Sequence, residues 1–232
     1  MTTATVSAEK SRRRGAPLGG SLLFLLVSLP LGTFTFSLIL TLGLSGIATV
    51  VVWVGIPLLG ALLLLVRSVA RMERARVYAQ LDAYIDRPYL PLSEKGLRQR
   101  WTARLRDTAH WRDLAYLFLL FPLGLIEFVL VTTFWAVGAG MVALPIYFRF
   151  LPDGAWFFPG PEMRWITVDS TVSALPWAAL GVLVVALAAA LTKALGTMHR
   201  SFAVAMLRPT VAQRRRMERS WQSADETSMV TG

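Results

Sequence analysis

The chain has 232 residues, of which 55% are hydrophobic and only 16% are charged. A soluble domain carries about 25% charged residues. A chain with so many apolar residues could not bury all of its apolar surface away from water. The same composition excludes a disordered chain, and the lack of cysteine excludes disulfide-stapled folds and cysteine-ligated zinc. The composition therefore indicates a membrane protein with several spans.

Two of the spans share one uncharged run. Residues 15–66 contain no Asp, Glu, Lys or Arg. As one helix this run would be about 78 Å long, against a hydrocarbon core of about 30 Å, so it must hold two spans and a turn, which glycines and a serine place at 43–46. We predict an all-α integral membrane protein with a disordered lead at 1–20 and a basic, disordered tail at 209–232. Its membrane domain is 21–208, with spans at about 21–43, 46–66, 114–137 and 173–192.

Lysine and arginine are distributed unevenly between the loops. Of the 24 present, 22 lie in 1–14, 67–113 and 193–232, and only Arg149 and Arg164 lie between the last two spans. The positive-inside rule therefore predicts that both termini and the central loop are cytoplasmic. The net charge of +10 fits attraction to anionic lipid of the inner leaflet. No recognition motif accompanies this charge, so we expect no nucleic-acid partner.

An internal repeat organises the spans. A shift of 92 residues aligns Pro-Leu-Gly at 30–32 with Pro-Leu-Gly at 122–124. Each copy has two spans and starts on the same side, so we predict two parallel two-helix repeats related by a pseudo-two-fold axis along the membrane normal. Pro30 and Pro122 are candidate hinges; the alternative is helix curvature that closes the bundle.

Two amphipathic helices are predicted on the cytoplasmic side. One continues span two to about Ile85, and the other begins at Ser93. Both are rich in arginine beside the headgroups, which fits a contact with anionic lipid or a docking surface for a partner protein. The arginines expected to make these contacts are Arg67, Arg71, Arg74, Arg98 and Arg104.

Glu127 is the only charged residue inside a predicted span, opposite Thr35 in the other repeat. An intramembrane carboxylate is a functional candidate by default, here for sensing protons or binding a cation. The alternative is a carboxyl group that fastens helices through a hydrogen bond to Thr132, Thr133 or Thr35. In either case we expect Glu127 to face the interior of the bundle.

The segment between the last two spans is short and aromatic. Tryptophans at this depth typically form an interfacial belt. Trp156 and Trp165 are also the candidate surface for a small ligand on the outer side.

Catalytic constellations are missing from the sequence. The two histidines, His110 and His199, are expected at cytoplasmic helix ends and have no partner at metal-ligand spacing. No phosphate-binding glycine loop, nucleophile elbow or paired intramembrane carboxylates occur. We therefore predict no enzyme, no metal and no cofactor.

Several segments resemble the bacterial putative-sensor domain: Pro-Leu-Gly at 30–32, Trp-Val-Gly-Ile-Pro-Leu-Leu at 53–59, Ala-Arg-Met-Glu-Arg-Ala-Arg at 70–76 and Trp-Arg-Asp-Leu at 111–114. That domain is found ahead of sensor histidine kinases and also as stand-alone membrane proteins. The resemblance covers roughly residues 20–208 and implies a sensing or signal-transducing role in the bacterial plasma membrane. The 24 residues after Arg208 are too few for a kinase. We therefore expect a separate partner, for which a histidine kinase, another membrane protein and a second copy of the chain are the candidates.

Three functions fit this topology. The first is a non-catalytic membrane sensor or regulator, which the resemblance favours. The second is a small transporter or channel subunit with Glu127 in the conduction path. The third is a structural accessory protein of the membrane.

Overall fold

Four long helices dominate the computed structural model, which describes residues 17–85, 108–160, 162, 164–211, 213–215 and 218–219. Each helix is long and apolar enough to cross a membrane, which confirms an all-α membrane protein with four spans. The helices are α1 (Leu18–Ala48), α2 (Gly55–Leu81), α3 (Thr108–Tyr147) and α4 (Thr171–Leu207).

The turn between the first two spans lies later than the sequence predicts. Residues 43–46 remain in α1, which ends at Ala48, and the turn follows at 49–54. Gly46 lies within the helix at a close approach to α2: a Cβ added there would lie 2.8 Å from Cδ2 of Leu59. Small residues are used in this way where membrane helices approach each other. The prediction of a turn at 43–46 is therefore corrected.

The predicted continuation of span two is present. α2 extends about four turns beyond its apolar part and ends at Leu81, after which Asp82 adopts a left-handed φ of 52°. The helix thus stops before the predicted limit at Ile85. The second amphipathic helix, predicted from Ser93, lies outside the described residues.

A small antiparallel ribbon, which the sequence analysis did not predict, connects α3 to α4. Strand β1 (Trp156–Pro159) pairs with β2 (Arg164–Val168). α4 then begins with a capping box in which the hydroxyls of Ser170 and Ser173 accept hydrogen bonds from each other's backbone N–H, at 3.2 and 3.1 Å. This cap satisfies N–H groups that the first turn of a helix leaves unpaired.

α1 and α3 cross at two glycines of the repeated motif. A Cβ added to Gly32 would lie 3.1 Å from the carbonyl oxygen of Leu120, and one added to Gly124 would lie 3.1 Å from that of Ser28. The shift of 92 residues converts one contact into the other. Such reciprocity is expected where two equivalent surfaces meet across a two-fold axis.

The buried positions of the two halves also correspond. All eight buried residues of α1 have a buried counterpart 92 positions later in α3, namely Ser21/Asp113, Phe24/Tyr116, Leu25/Leu117, Ser28/Leu120, Gly32/Gly124, Thr35/Glu127, Ile39/Val131 and Gly46/Gly138. Between α2 and α4 the shift is 126, which pairs Gly55/Gly181, Val66/Thr192, Ala70/Gly196, Glu73/His199, Val77/Ala203 and Leu81/Leu207. This correspondence favours the predicted repeat, whose origin and axis direction stay predictions.

The described residues after α4 are partly helical. The backbone N–H of Thr210 donates to Oε1 of Gln213 (2.8 Å), and the backbone N–H of Gln213 donates to Oγ1 of Thr210 (3.2 Å). Residues 213–215 and 218–219 are helical. They differ in this from the disordered tail that the composition predicts.

Candidate functional site

A buried acid–base pair joins α3 and α4. The Glu127 carboxylate lies 2.9 and 3.0 Å from Nδ1 of His199, and both side chains are completely buried. The expectation that Glu127 faces the interior is therefore met. Its partner is a histidine and not one of the threonines considered from the sequence.

The opposite nitrogen of the imidazole continues the chain of contacts. Nε2 of His199 lies 3.2 Å from the hydroxyl of Tyr116, and that hydroxyl donates to Oε1 of Glu73 on α2 at 3.1 Å. Because the phenol has one proton and gives it to Glu73, Nε2 must carry a hydrogen to bond the phenolic oxygen. The remaining proton of the pair then lies between Nδ1 and Glu127. The two arrangements that fit are an imidazolium beside a carboxylate and an imidazole beside a carboxylic acid.

Arg76 connects the chain of contacts to α1. Its guanidinium donates to Oε2 of Glu73 at 3.1 Å and to the carbonyl oxygen of Phe24 at 3.1 Å, and it also donates to the hydroxyl of Ser28. The guanidinium carbon lies 3.9 Å from the centre of the Phe24 ring. That ring packs edge-on against His199. The network from Glu127 to Arg76 therefore joins α2, α3 and α4, and Arg76 extends it to α1.

The charges within the network are balanced in this arrangement. Glu73 is paired with Arg76, and one shared proton neutralises Glu127 and His199 together. A buried ion with no partner destabilises a protein by several kcal/mol. The packed arrangement of the four helices is therefore most stable when the charges in the network are balanced.

A second polar cluster holds the end of α4. Nη2 of Arg74 donates to Oδ1 of Asp113 at 2.6 Å and to the carbonyl oxygen of Leu207 at 3.3 Å. Arg112 donates to the carbonyl oxygen of Arg208 at 3.0 Å and to that of Ala205. The last carbonyls of a helix have no intrahelical partner, and cations stabilise that end. Arginines from α2 and α3 thus hold the end of α4.

The structure changes the expectation for one of the arginines assigned to lipid or partner contacts. Arg74 is 5% exposed and pairs with Asp113, so it does not face the headgroups. Arg71 is exposed and Arg67 is half-buried, as a surface role requires. Arg98 and Arg104 lie outside the described residues.

The remaining predicted residues lie apart from the network. Pro30 and Pro122 lie within α1 and α3 and are exposed, while the glycines two residues later form the crossing. Trp156 is half-buried, with its ring centre 5.4 Å from that of Trp177, whereas Trp165 is 73% exposed. Neither tryptophan is brought near Glu127 by the contacts described above.

Four members of the network were missed in the sequence analysis: His199, Tyr116, Glu73 and Arg76. His199 was placed at a cytoplasmic helix end, although α4 runs on to Leu207. The spacing of Thr192, Gly196, His199 and Ala203 puts them on one helix face, and all four are buried. That stripe was the signal that could have identified the histidine. In the part of the chain that the structure describes, no group of three or more metal-ligating side chains is found.

A family model described as "Putative sensor" matches residues 24–207, about four fifths of the chain. No curated protein and no solved structure matches the chain.

Proposed function

Because the chain belongs to the Putative sensor family, we propose that it is a non-catalytic membrane sensor or regulator that passes its signal to a separate partner protein. The proposed location is the bacterial plasma membrane, with both termini in the cytoplasm. This orientation rests on the partition of Lys and Arg between the loops.

The observation that carries the proposal is the buried Glu127–His199 pair within a network that reaches all four helices. One added proton leaves an imidazolium beside a neutral carboxyl, and one removed proton leaves a carboxylate beside a neutral imidazole. Either change leaves a buried charge without a partner and costs several kcal/mol. About 5.5 kcal/mol moves a two-state equilibrium from 1:99 to 99:1, so one proton is enough to change how the helices pack.

The groups around the pair determine how such a change is transmitted. α2 contributes Glu73 and Arg76, and α3 contributes Tyr116 as well as Glu127. The described contacts from α1 come from the uncharged Phe24 and Ser28. A change in the protonation of His199 therefore affects the hydrogen bond between Tyr116 and Glu73, and through it the position of α2. We propose that the resulting movement of α2 is the output.

The experiment measures one distance as a function of pH. The chain has no cysteine, so Met72→Cys and Met198→Cys give two unique spin-label sites, both about half exposed, next to Glu73 and His199. In lipid nanodiscs we expect the distance distribution to change when the pH is moved from neutral to acidic or to alkaline values. Glu127→Gln and His199→Gln in the same background should remove the shift.

The matched control is Asp169→Asn, which neutralises an exposed carboxylate at the opposite end of α4. It should shift like the parent protein. A parent whose distances do not depend on pH, or glutamine variants that still shift fully, would overturn the proposed role of the pair. Cross-linking and affinity purification from native membranes then test for the partner; recovery of the same kinase or membrane protein in replicate preparations is the expected result.

A second candidate function is supported by the order of groups in the network. Carboxylate, imidazole, phenol and carboxylate follow one another as in proton relays of pumps, and the chain ends at Arg76, whose side chain is 10% exposed. Proton flux into proteoliposomes, measured with an enclosed pH-sensitive dye, distinguishes the two functions. Flux that is lost in Glu127→Gln would favour transport over sensing.

A further inference from the structure

We propose that the cleft between the start of α3 and the end of α4 binds the phosphate headgroup of an anionic phospholipid. The cleft has a volume of about 690 Å³. Its polar lining includes Arg112, Arg208 and Arg214. None of the described residues that line it is an aspartate or a glutamate.

Arg112 is held in place before a ligand arrives. Its two hydrogen bonds to the carbonyls of Ala205 and Arg208 use two of the five N–H groups of the guanidinium. Arg208 is exposed and Arg214 is half-buried at the edge of the same cleft. Guanidinium groups bind phosphate oxygens through charge-assisted hydrogen bonds, often two at a time.

The end of α4 alone would repel an anion, because the C-terminus of a helix carries about half a negative charge. Two carbonyls in this last turn already accept hydrogen bonds from Arg112, and Leu207 accepts one from Arg74. Three positive charges around the cleft exceed the remaining partial charge. The local field therefore favours an anion.

The other wall of the cleft selects an amphiphile over free phosphate. Val204, Pro209 and Val211 form its apolar lining. α3 and α4 are spanning helices, and Arg112 lies just before the apolar part of α3 while Arg208 follows the end of α4. A molecule bound here has its charge at the boundary of the membrane and its apolar part against the helices. Basic pockets at this depth are typical sites for anionic lipid headgroups.

The test uses the full chain in detergent and native mass spectrometry with added lipid. We expect phosphatidylglycerol to bind and phosphatidylcholine of the same acyl composition to bind at least about tenfold more weakly, since each arginine near an anionic headgroup contributes about 1 kcal/mol. Arg208→Gln with Arg214→Gln should weaken phosphatidylglycerol binding by about tenfold or more. Arg112 is left unchanged because it holds the end of α4.

The matched control is Arg149→Gln with Lys193→Gln, which removes the same charge from two exposed basic residues outside the cleft. It should bind phosphatidylglycerol like the parent. Equal weakening in both double variants would overturn the proposal, since it would show attraction to net charge alone. Equal binding of both lipids, or displacement of the lipid by millimolar inorganic phosphate, would overturn it as well. If the glutamine variant fails to fold, Arg208→Lys with Arg214→Lys keeps the charge and should bind more weakly than the parent but still prefer phosphatidylglycerol; loss of that preference would contradict the site.

Discussion

Replacing Arg74 by glutamine tests whether this arginine is part of the core or of the lipid-facing surface. Its guanidinium lies 2.6 Å from Asp113, and the two side chains are only 5% and 2% exposed. The sequence predicts that Arg74, like Arg71, contacts anionic lipid or a partner protein. The two positions differ by three residues on one helix, so they form a matched pair for this test.

The expected loss follows from what the substitution removes. Arg74→Gln removes the buried ion pair with Asp113 and the bond to the carbonyl of Leu207. Removing one partner of a buried ion pair destabilises a protein by about 3–5 kcal/mol. Arg71 is exposed and its guanidinium donates to the hydroxyl of Ser68 at 3.3 Å, so Arg71→Gln should change stability by no more than about 0.5 kcal/mol.

The assay is reversible unfolding in mixed micelles, followed by tryptophan fluorescence. Adding Asp113→Asn to Arg74→Gln neutralises the other member of the ion pair, so the double variant should lose less than the sum of the single losses, with a coupling energy of about 1–3 kcal/mol. Equal, small losses in Arg71→Gln and Arg74→Gln would refute the buried pair. Additive losses in the cycle would show that the two side chains do not interact.

Three further predictions concern topology and helix packing. In intact cells, Lys95→Cys should not be labelled by a membrane-impermeant maleimide, because the central loop is predicted to be cytoplasmic. Labelling from outside would contradict the predicted orientation. Gly181→Ala should lower the free energy of unfolding by about 1–3 kcal/mol, since its Cβ would lie 2.6 Å from the backbone nitrogen of Val142. Gly140→Ala should leave it unchanged, since no atom lies closer than 4.0 Å to the added Cβ. Equal effects of the two substitutions would contradict this packing. Ser170→Ala should cost about 1 kcal/mol by removing the cap of α4, measured in the same unfolding assay, and no change would show that the cap is not formed.

The number of spans could be predicted from the sequence because lipid imposes a simple physical constraint. The uncharged run at 15–66 is too long for one span and has the length of two. The helix ends could not be predicted in this way, because hydropathy indicates which residues lie in the hydrocarbon core and not where a helix begins and ends. α2 and α4 both continue for several turns past their apolar parts, where tertiary contacts such as the Arg74–Asp113 pair hold them.

Glu127 could be identified from its charge alone, but its partner could not. A carboxylate within an apolar span is evident in any hydropathy profile. His199 follows Lys193 in sequence and therefore reads as part of a cytoplasmic end. Only the packing of α3 against α4 shows that it faces inward, at the depth of Glu127. The phenol of Tyr116 was likewise indistinguishable from an apolar core residue.

The positions at which the two halves differ carry the acid–base chemistry. Gly32 and Gly124 agree because a close crossing needs a small residue on each side. Glu127 corresponds instead to Thr35, and His199 to Glu73.

Physical chemistry explains this divergence. Two identical halves would place like groups at equivalent distances from the axis, and neighbouring like charges disfavour joint ionisation. A pair that shares one proton needs an acid on one helix and a base on another, so equivalent positions must become different. Comparing the buried positions of the halves at shifts of 92 and 126 residues therefore places Glu127 and His199 among a few polar mismatches, beside Ser21/Asp113, Ser28/Leu120 and Val66/Thr192.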